Sequence, residues 1–150
     1  MTSTDDKGNT PLHTACKHGH YSTVKFLVAH QRCQLNAKNN DFNTPMHIAC
    51  YMKAFSIIRL LFERKCSINI PNKKGETAQD ISRNEDGDCL LHAACQWGNA
   101  AIVRHLISDE RCNPNVVIAS GSTPLHTASK HGNLDVVKVI VGRRECDLNR

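Results

Sequence analysis

Apolar residues along this chain come in short groups at helical spacing, divided by polar, turn-rich stretches. Val24, Leu27 and Val28 stand at i, i+3 and i+4, one face of a helix over about Ser22–His30. The stretch before it predicts a shorter helix from Pro11 to about Lys17. Thr10 suits its N-cap, and Pro11 suits a first helical position, where the N–H has no intrahelical partner. Gly19 predicts the left-handed residue that ends it. Ala15 and Cys16 are small enough for a neighbouring helix to approach closely. Residues 36–43, NAKNNDFN, read as a projecting hairpin. One such helix pair cannot bury its own apolar stripe, so the units must stack.

The pattern repeats. Thr10-Pro11-Leu12-His13 returns as Thr44-Pro45-Met46-His47 and as Thr123-Pro124-Leu125-His126, with a weaker copy at Cys89-Leu90-Leu91-His92. The first two copies are 34 residues apart, as are the last two. Ala-Cys pairs follow at Ala15-Cys16, Ala49-Cys50 and Ala94-Cys95, turn glycines at Gly19, Gly98 and Gly132, and closing asparagines at Asn36, Asn69, Asn115 and Asn149.

Period, order and motif over about residues 6–149 resemble the ankyrin repeat. The resemblance implies an all-α fold, a solenoid of stacked antiparallel helix pairs with β-hairpin fingers. It also implies a binding scaffold, in which fingers and first helices form a concave surface for partners. The expected units are repeat 1 at about 6–38, repeat 2 at about 39–71, a truncated repeat at about 72–84, repeat 3 at about 85–117 and repeat 4 at about 118–150. The truncated unit opens at Thr77, yet Cys89 opens the next, leaving no room for a second helix. A harmless deletion and a bend both fit that shortening.

Repeat 2 departs most from the pattern. Phe42 stands where other copies have Gly8, Gly75, Gly87 and Gly121, and Lys53 replaces the turn glycine. A bulky residue at a positive-φ position either reshapes its turn or holds strain.

Composition narrows the chemistry. Hydrophobic residues are 40% of 150, enough for a core, and no apolar run approaches a membrane span. The N-terminal MTSTDDKGNT has neither a basic n-region nor an apolar h-region, so no secretory signal is expected. Eight cysteines and nine histidines look like a metal or catalytic endowment until they are placed in the repeat. Cys16, Cys50 and Cys95 share one register, and Cys33, Cys66, Cys112 and Cys146 another; only Cys89 falls outside both. Equivalent residues of stacked helices lie about 8–10 Å apart, too far for disulfides, so buried thiols in a reducing compartment are expected. His13, His47, His92 and His126 are one repeated position, to which the resemblance assigns hydrogen bonds between repeats. No catalytic residue, cofactor or metal is therefore expected, and no phosphate-binding loop is legible.

The expected function is protein–protein interaction by a cytoplasmic or nuclear monomer, with no membrane contact. Positions between the Ala pair and the turn glycine vary freely and, by the resemblance, face the partner: Lys17 and His18, Tyr51 and Met52, Gln96 and Trp97, Lys130 and His131. The finger residues Asn40, Asp41 and Phe42 extend that surface. Aromatic and Met residues there suit an interface centre, and Lys17 and Lys130 would steer an acidic partner. The alternative is nucleic acid or another polyanion on the basic N-terminal half, since the net charge is +5 and residues 6–38 carry +4. With no polar capping unit legible at either end, a segment of a longer protein is expected.

Overall fold

A computed structural model describes residues 3–83, 89–110 and 112–143. The finger around Gly87, the acidic linker 84–88, Cys146 and the closing Asn149 lie outside them. Among the described residues the regular structure is helical: α1 (Pro11–Lys17), α2 (Tyr21–Val28), α3 (Pro45–Tyr51), α4 (Phe55–Glu63), α5 (Ala78–Ile81), α6 (Cys89–Trp97), α7 (Ala100–Ile107), α8 (Pro124–Lys130) and α9 (Leu134–Val141). They fall into two compact units, Met1–Ser82 and Arg83–Arg150. In the first, α1 packs on α2 and α3, α3 on α4 and α5, and α2 on α4. In the second, α6 packs on α7 and α8, α7 on α9, and α8 on α9. Between α4 and residue 83, α5 is the helix among the described residues.

Four inner helices, α1, α3, α5 and α8, start by the same chemistry. Thr10, Thr44 and Thr123 cap their helices, with the side chain accepting from the N3 backbone and the N3 histidine answering to the cap's own N–H. At Thr77 the N3 residue is Asp80, whose carboxylate accepts the Thr77 N–H at 2.9 Å. Pro follows the cap at Pro11, Pro45 and Pro124. Each turn to the outer helix needs positive φ, found at Gly19, Gly98 and Gly132, and also at Lys53 (51°).

Stacking decides which apolar residues are covered. Ile57, Ile58, Leu60 and Leu61 of α4 are buried, with Met46 and Ala49 of α3 beneath the same layer of repeats. Phe26 on α2 is 65% exposed, whereas Leu60, one repeat later at the same register, is 5% exposed. The residue types are alike; only α4 has α2 packed on it as the preceding outer helix. In the second unit the core comprises Leu91, Ala94, Ile102, Val103, Leu106, Val136 and Ile140.

The fingers are tighter than the expected β-hairpins, and no strand forms among the described residues. Each is a five-residue turn closed by two backbone bonds, at Asp5–Asn9, Asn39–Asn43, Asn72–Glu76 and Ile118–Ser122. The fourth residue of each has positive φ: Gly8, Gly75 and Gly121 at 74–80°, and Phe42 at 60°. Phe42 therefore keeps the turn its glycine counterparts make, and holds the strain.

Candidate functional site

Three fingers of the first unit share one side-chain device. Oδ1 of Asp5, Asn39 and Asn72 accepts the N–H groups two and four residues on, at 2.8–3.0 Å. Such a short acceptor satisfies backbone donors that a strandless finger would otherwise leave to water. Neighbouring fingers are then laced together. Asn40 N–H donates to the Lys7 carbonyl and Lys73 N–H to the Asp41 carbonyl, each at 3.0 Å. Asn39 Nδ2 donates to Asn9 Oδ1 at 2.9 Å, and Asn72 Nδ2 to Asn43 Oδ1 at 3.0 Å. The ladder holds the finger tips in register.

The repeated histidines complete that lacing. Thr10 N–H donates to His13 Nδ1 at 3.1 Å, so Nδ1 carries the lone pair and Nε2 carries the proton. Nε2–H then donates to the Asn43 carbonyl of the next finger at 2.9 Å. His47 does the same with Thr44 N–H at 3.0 Å and the Glu76 carbonyl at 3.1 Å. In the second unit His92 Nε2 donates to the Ser122 carbonyl at 3.0 Å. His126 holds Thr123 in the same way at 3.2 Å, but it is exposed, and its Nε2 reaches no carbonyl among the described residues. Burial holds His13 and His47 below the usual imidazole range. The His13 and His47 imidazoles are neutral structural bridges between repeats.

The thiols divide. Cys16, Cys50, Cys66, Cys95 and Cys112 are buried, as expected of small core residues, but Cys33 is only half-buried. It sits past the end of α2, where it lines a surface hollow with Leu12, Leu27 and His30. Burial, with Cys66 and Cys33 nearby, pushes the Cys16 thiol up to about 12. Cys66 is likewise pushed up to about 12 by burial and by Cys33. Thiolate is the reactive form, so iodoacetamide applied to the native protein is expected to label Cys33 before Cys16 or Cys66. Mass spectrometry of the peptides over time checks this; equal labelling of Cys16 would contradict the burial order. Among the described residues no group of three His, Cys, Asp or Glu side chains could hold a metal ion. No described helix is long and apolar enough to cross a membrane.

The candidate partner-binding residues stand at the inner-helix ends and finger tips. In the first unit Lys17 ends α1 and His18 caps it, both exposed, with the His18 ring stacked on His20 at 5.9 Å. Tyr51 ends α3 and Met52 caps it, 44% and 52% exposed. Because α1 packs on α3, these two pairs are neighbours. The Tyr51 hydroxyl donates to the Glu76 carboxylate at 3.0 Å and accepts from Asn72 Nδ2 at 3.3 Å, which ties its ring to the third finger. Asn72 Nδ2, which also donates to the Glu76 carboxylate at 3.2 Å, and then the Tyr51 hydroxyl hold that carboxyl below its usual range, and burial raises the Tyr51 phenol.

Phe42 is 48% exposed at its finger tip, with Lys38 Nζ 5.5 Å and Lys73 Nζ 5.4 Å from the ring centroid. Asn40 and Asp41 are exposed beside it, although Asn40 Nδ2 also donates to the Asp6 carbonyl at 3.1 Å. A left-handed conformation in a non-glycine residue costs about 1–2 kcal/mol, so Phe42 sits there at the expense of stability.

In the second unit Gln96 is exposed near the end of α6, and Lys130 and His131 are exposed at the end of α8, which packs on α6. Trp97 is half-buried, deeper than a free surface position. Lys38, Lys73, Asn72 and Glu76 were not singled out by sequence reasoning. The one legible signal was Asp or Asn opening three fingers; the pairing of Phe42 with Lys73, 31 residues away, leaves no local trace.

Comparison with known proteins agrees with this architecture. A family model described as ankyrin repeats (3 copies) matches residues 1–72 and 73–150. The chain is 30% identical over 141 residues to a putative ankyrin repeat protein of Fowlpox virus (strain NVSL), covering 94% of this chain and 89% of that protein. It is 46% identical over 55 residues to the nuclear factor NF-kappa-B p110 subunit of Drosophila melanogaster, covering 37% of this chain and 6% of that one. It is 28% identical over 89 residues to Rabankyrin-5 of Homo sapiens, covering 59% and 8%. The chain thus spans only 6–8% of the length of these last two relatives.

Proposed function

Because the chain belongs to the ankyrin-repeat family, we propose that it is a non-catalytic scaffold that binds another protein. Ankyrin repeats generally mediate protein–protein interaction. The binding residues in this reading are Lys17, His18, Asn40, Asp41, Phe42, Tyr51 and Met52 in the first unit, and Gln96, Trp97, Lys130 and His131 in the second. One contrast carries the reading. Three of the four repeated histidines, and the finger amides with them, are consumed in bonds between neighbouring repeats, while Phe42, Tyr51 and Met52 are exposed at positions where repeats differ. Aromatic and Met side chains at exposed positions are the types that interface centres favour. Lys17, on α1 packed against the helix of Tyr51, and in the second unit Lys130, on α8 packed against the helix of Gln96 and Trp97, would speed encounter with an acidic partner more than they tighten it. A cytoplasmic or nuclear monomer suits this role.

The test pairs two variants with a stability measurement. Tyr51→Ala/Met52→Ala and, separately, Trp97→Ala are expected to reduce capture of a protein from cytosolic extract. Unaltered capture by Trp97→Ala with a loss of about 3 kcal/mol or more, the scale of a large aromatic removed from a core, would make Trp97 a plug and not an anchor.

Polyanion binding is the second reading, supported by where the charge lies. The first unit holds eleven Lys and Arg against six Asp and Glu, which accounts for the whole net charge of +5. Retention on heparin that survives moderate salt would favour it; elution at low salt would leave the protein-binding reading standing alone.

A further inference from the structure

We propose that the second finger is an acid-recognition site, in which Phe42, Lys38 and Lys73 receive a carboxylate-bearing segment of a partner protein. This rests on the protein-binding reading above and assigns its partner a chemistry.

Strain is the first observation. The turn at residues 39–43 has the same two closing bonds as its glycine-bearing counterparts, yet Phe42 holds φ at 60°. Nothing in the fold needs a phenyl ring there, since the ring is half exposed and Gly8, Gly75 and Gly121 make the same turn without one. A residue held in a costly conformation, with its side chain offered to solvent, is placed for what it meets.

Charge is the second observation. Two ammonium groups lie within 5.5 Å of the ring centroid. They draw on the negative ring face, which leaves the positive ring edge and the remaining ammonium donors turned toward an anion. Among the described residues neither Lys38 nor Lys73 is paired with a carboxylate. Nearby acids are mostly spoken for. The Asp5 carboxylate accepts from Lys7 N–H, Asn9 N–H and Asn9 Nδ2, and the Glu76 carboxylate accepts from Tyr51 and Asn72. Asp41 is the acid left exposed beside the ring, and Asp6 the one on the first finger. The ladder from Asn40 to Lys7 and from Lys73 to Asp41 sets Lys73 beside Phe42 before any ligand arrives, so little ordering remains for binding. The net positive charge of the first unit favours the same class of partner.

The experiment uses the 150-residue chain and a fluorescein-labelled twelve-residue peptide of Glu and Leu, with a Gln-for-Glu peptide as control. Phe42→Gly is expected to raise Tm by about 2–4 °C through relief of strain. The same substitution is expected to weaken binding of the Glu peptide by about tenfold or more. Lys38→Ala/Lys73→Ala should weaken binding with Tm little changed, and Asp41→Asn should tighten it. The proposal is overturned if Phe42→Gly binds the Glu peptide as the parent does, or if the parent takes both peptides equally or neither. Binding that survives Phe42→Gly but is lost in Tyr51→Ala/Met52→Ala overturns the finger-tip site while keeping the protein-binding reading. Heparin held more tightly than the peptide, with the same sensitivity to Lys38→Ala/Lys73→Ala, overturns the protein partner in favour of a polyanion.

Discussion

Leu60→Ala is expected to lower stability by about 2–5 kcal/mol, the usual loss for a large aliphatic residue removed from a core. Phe26→Ala, at the same register one repeat earlier, is expected to change it by no more than about 0.5 kcal/mol. Both residues are apolar, and both lie on outer helices near the same turn. What separates them is coverage: α2 packs on α4, and Leu60 is buried where Phe26 stands in solvent. Intrinsic helix propensity cannot produce that difference, because Ala is favourable at either site. Midpoints of urea unfolding for the two variants decide the matter. Equal losses would mean that stacking is not what stabilises the unit.

His47→Ala is expected to cost about 1–3 kcal/mol, because it strands the Thr44 N–H and the Glu76 carbonyl in surroundings that water reaches poorly. His126→Ala should cost less, since among the described residues its ring serves only its own cap. The pH dependence follows from the same bonds. His47 and His13 have folded-state values below the ordinary 6.5, so above 6.5 both are neutral whether the chain is folded or not, and their contribution is whole. As pH falls below 6.5 the unfolded chain takes up protons that the folded chain refuses. Protonating Nδ1 would set an N–H against the Thr N–H that it now accepts. Stability is therefore expected to fall from pH 6.5 downward, until the pH reaches the lowered folded values. His47→Gln should flatten that slope. A slope unchanged by the substitution would place the acid sensitivity elsewhere.

Much of the fold was legible because it is periodic. Thr-Pro at three positions announces helix starts at Pro11, Pro45 and Pro124, and the structure begins helices there. Thr77 reads as opening a further unit, and α5 begins at the next residue, Ala78. Positive φ at Phe42 followed from aligning it with glycines, although alignment could not choose between strain and a reshaped turn. The rest depends on contacts across repeats. That Cys33 is only half-buried while Cys66 is buried depends on whether a neighbour covers the site, which local sequence does not encode. Trp97 was expected at a solvent-facing position and is half-buried. Its residue type and repeat position are the same in either case, so only packing could tell. The finger ladder and the lysines beside Phe42 join residues about thirty positions apart, and their polar side chains read simply as a solvated surface.

The central claim is that repeated residues hold the repeats together while the irregular ones meet the partner. Hydrogen exchange of the free chain against the chain with its captured partner bound tests this most directly. The account predicts added protection at amides 39–43, 51–53 and 96–97, with the outer helices α2 and α4 unchanged. Protection confined to α2 and α4, around Lys25 and Arg59, with the fingers exchanging as before, would contradict it.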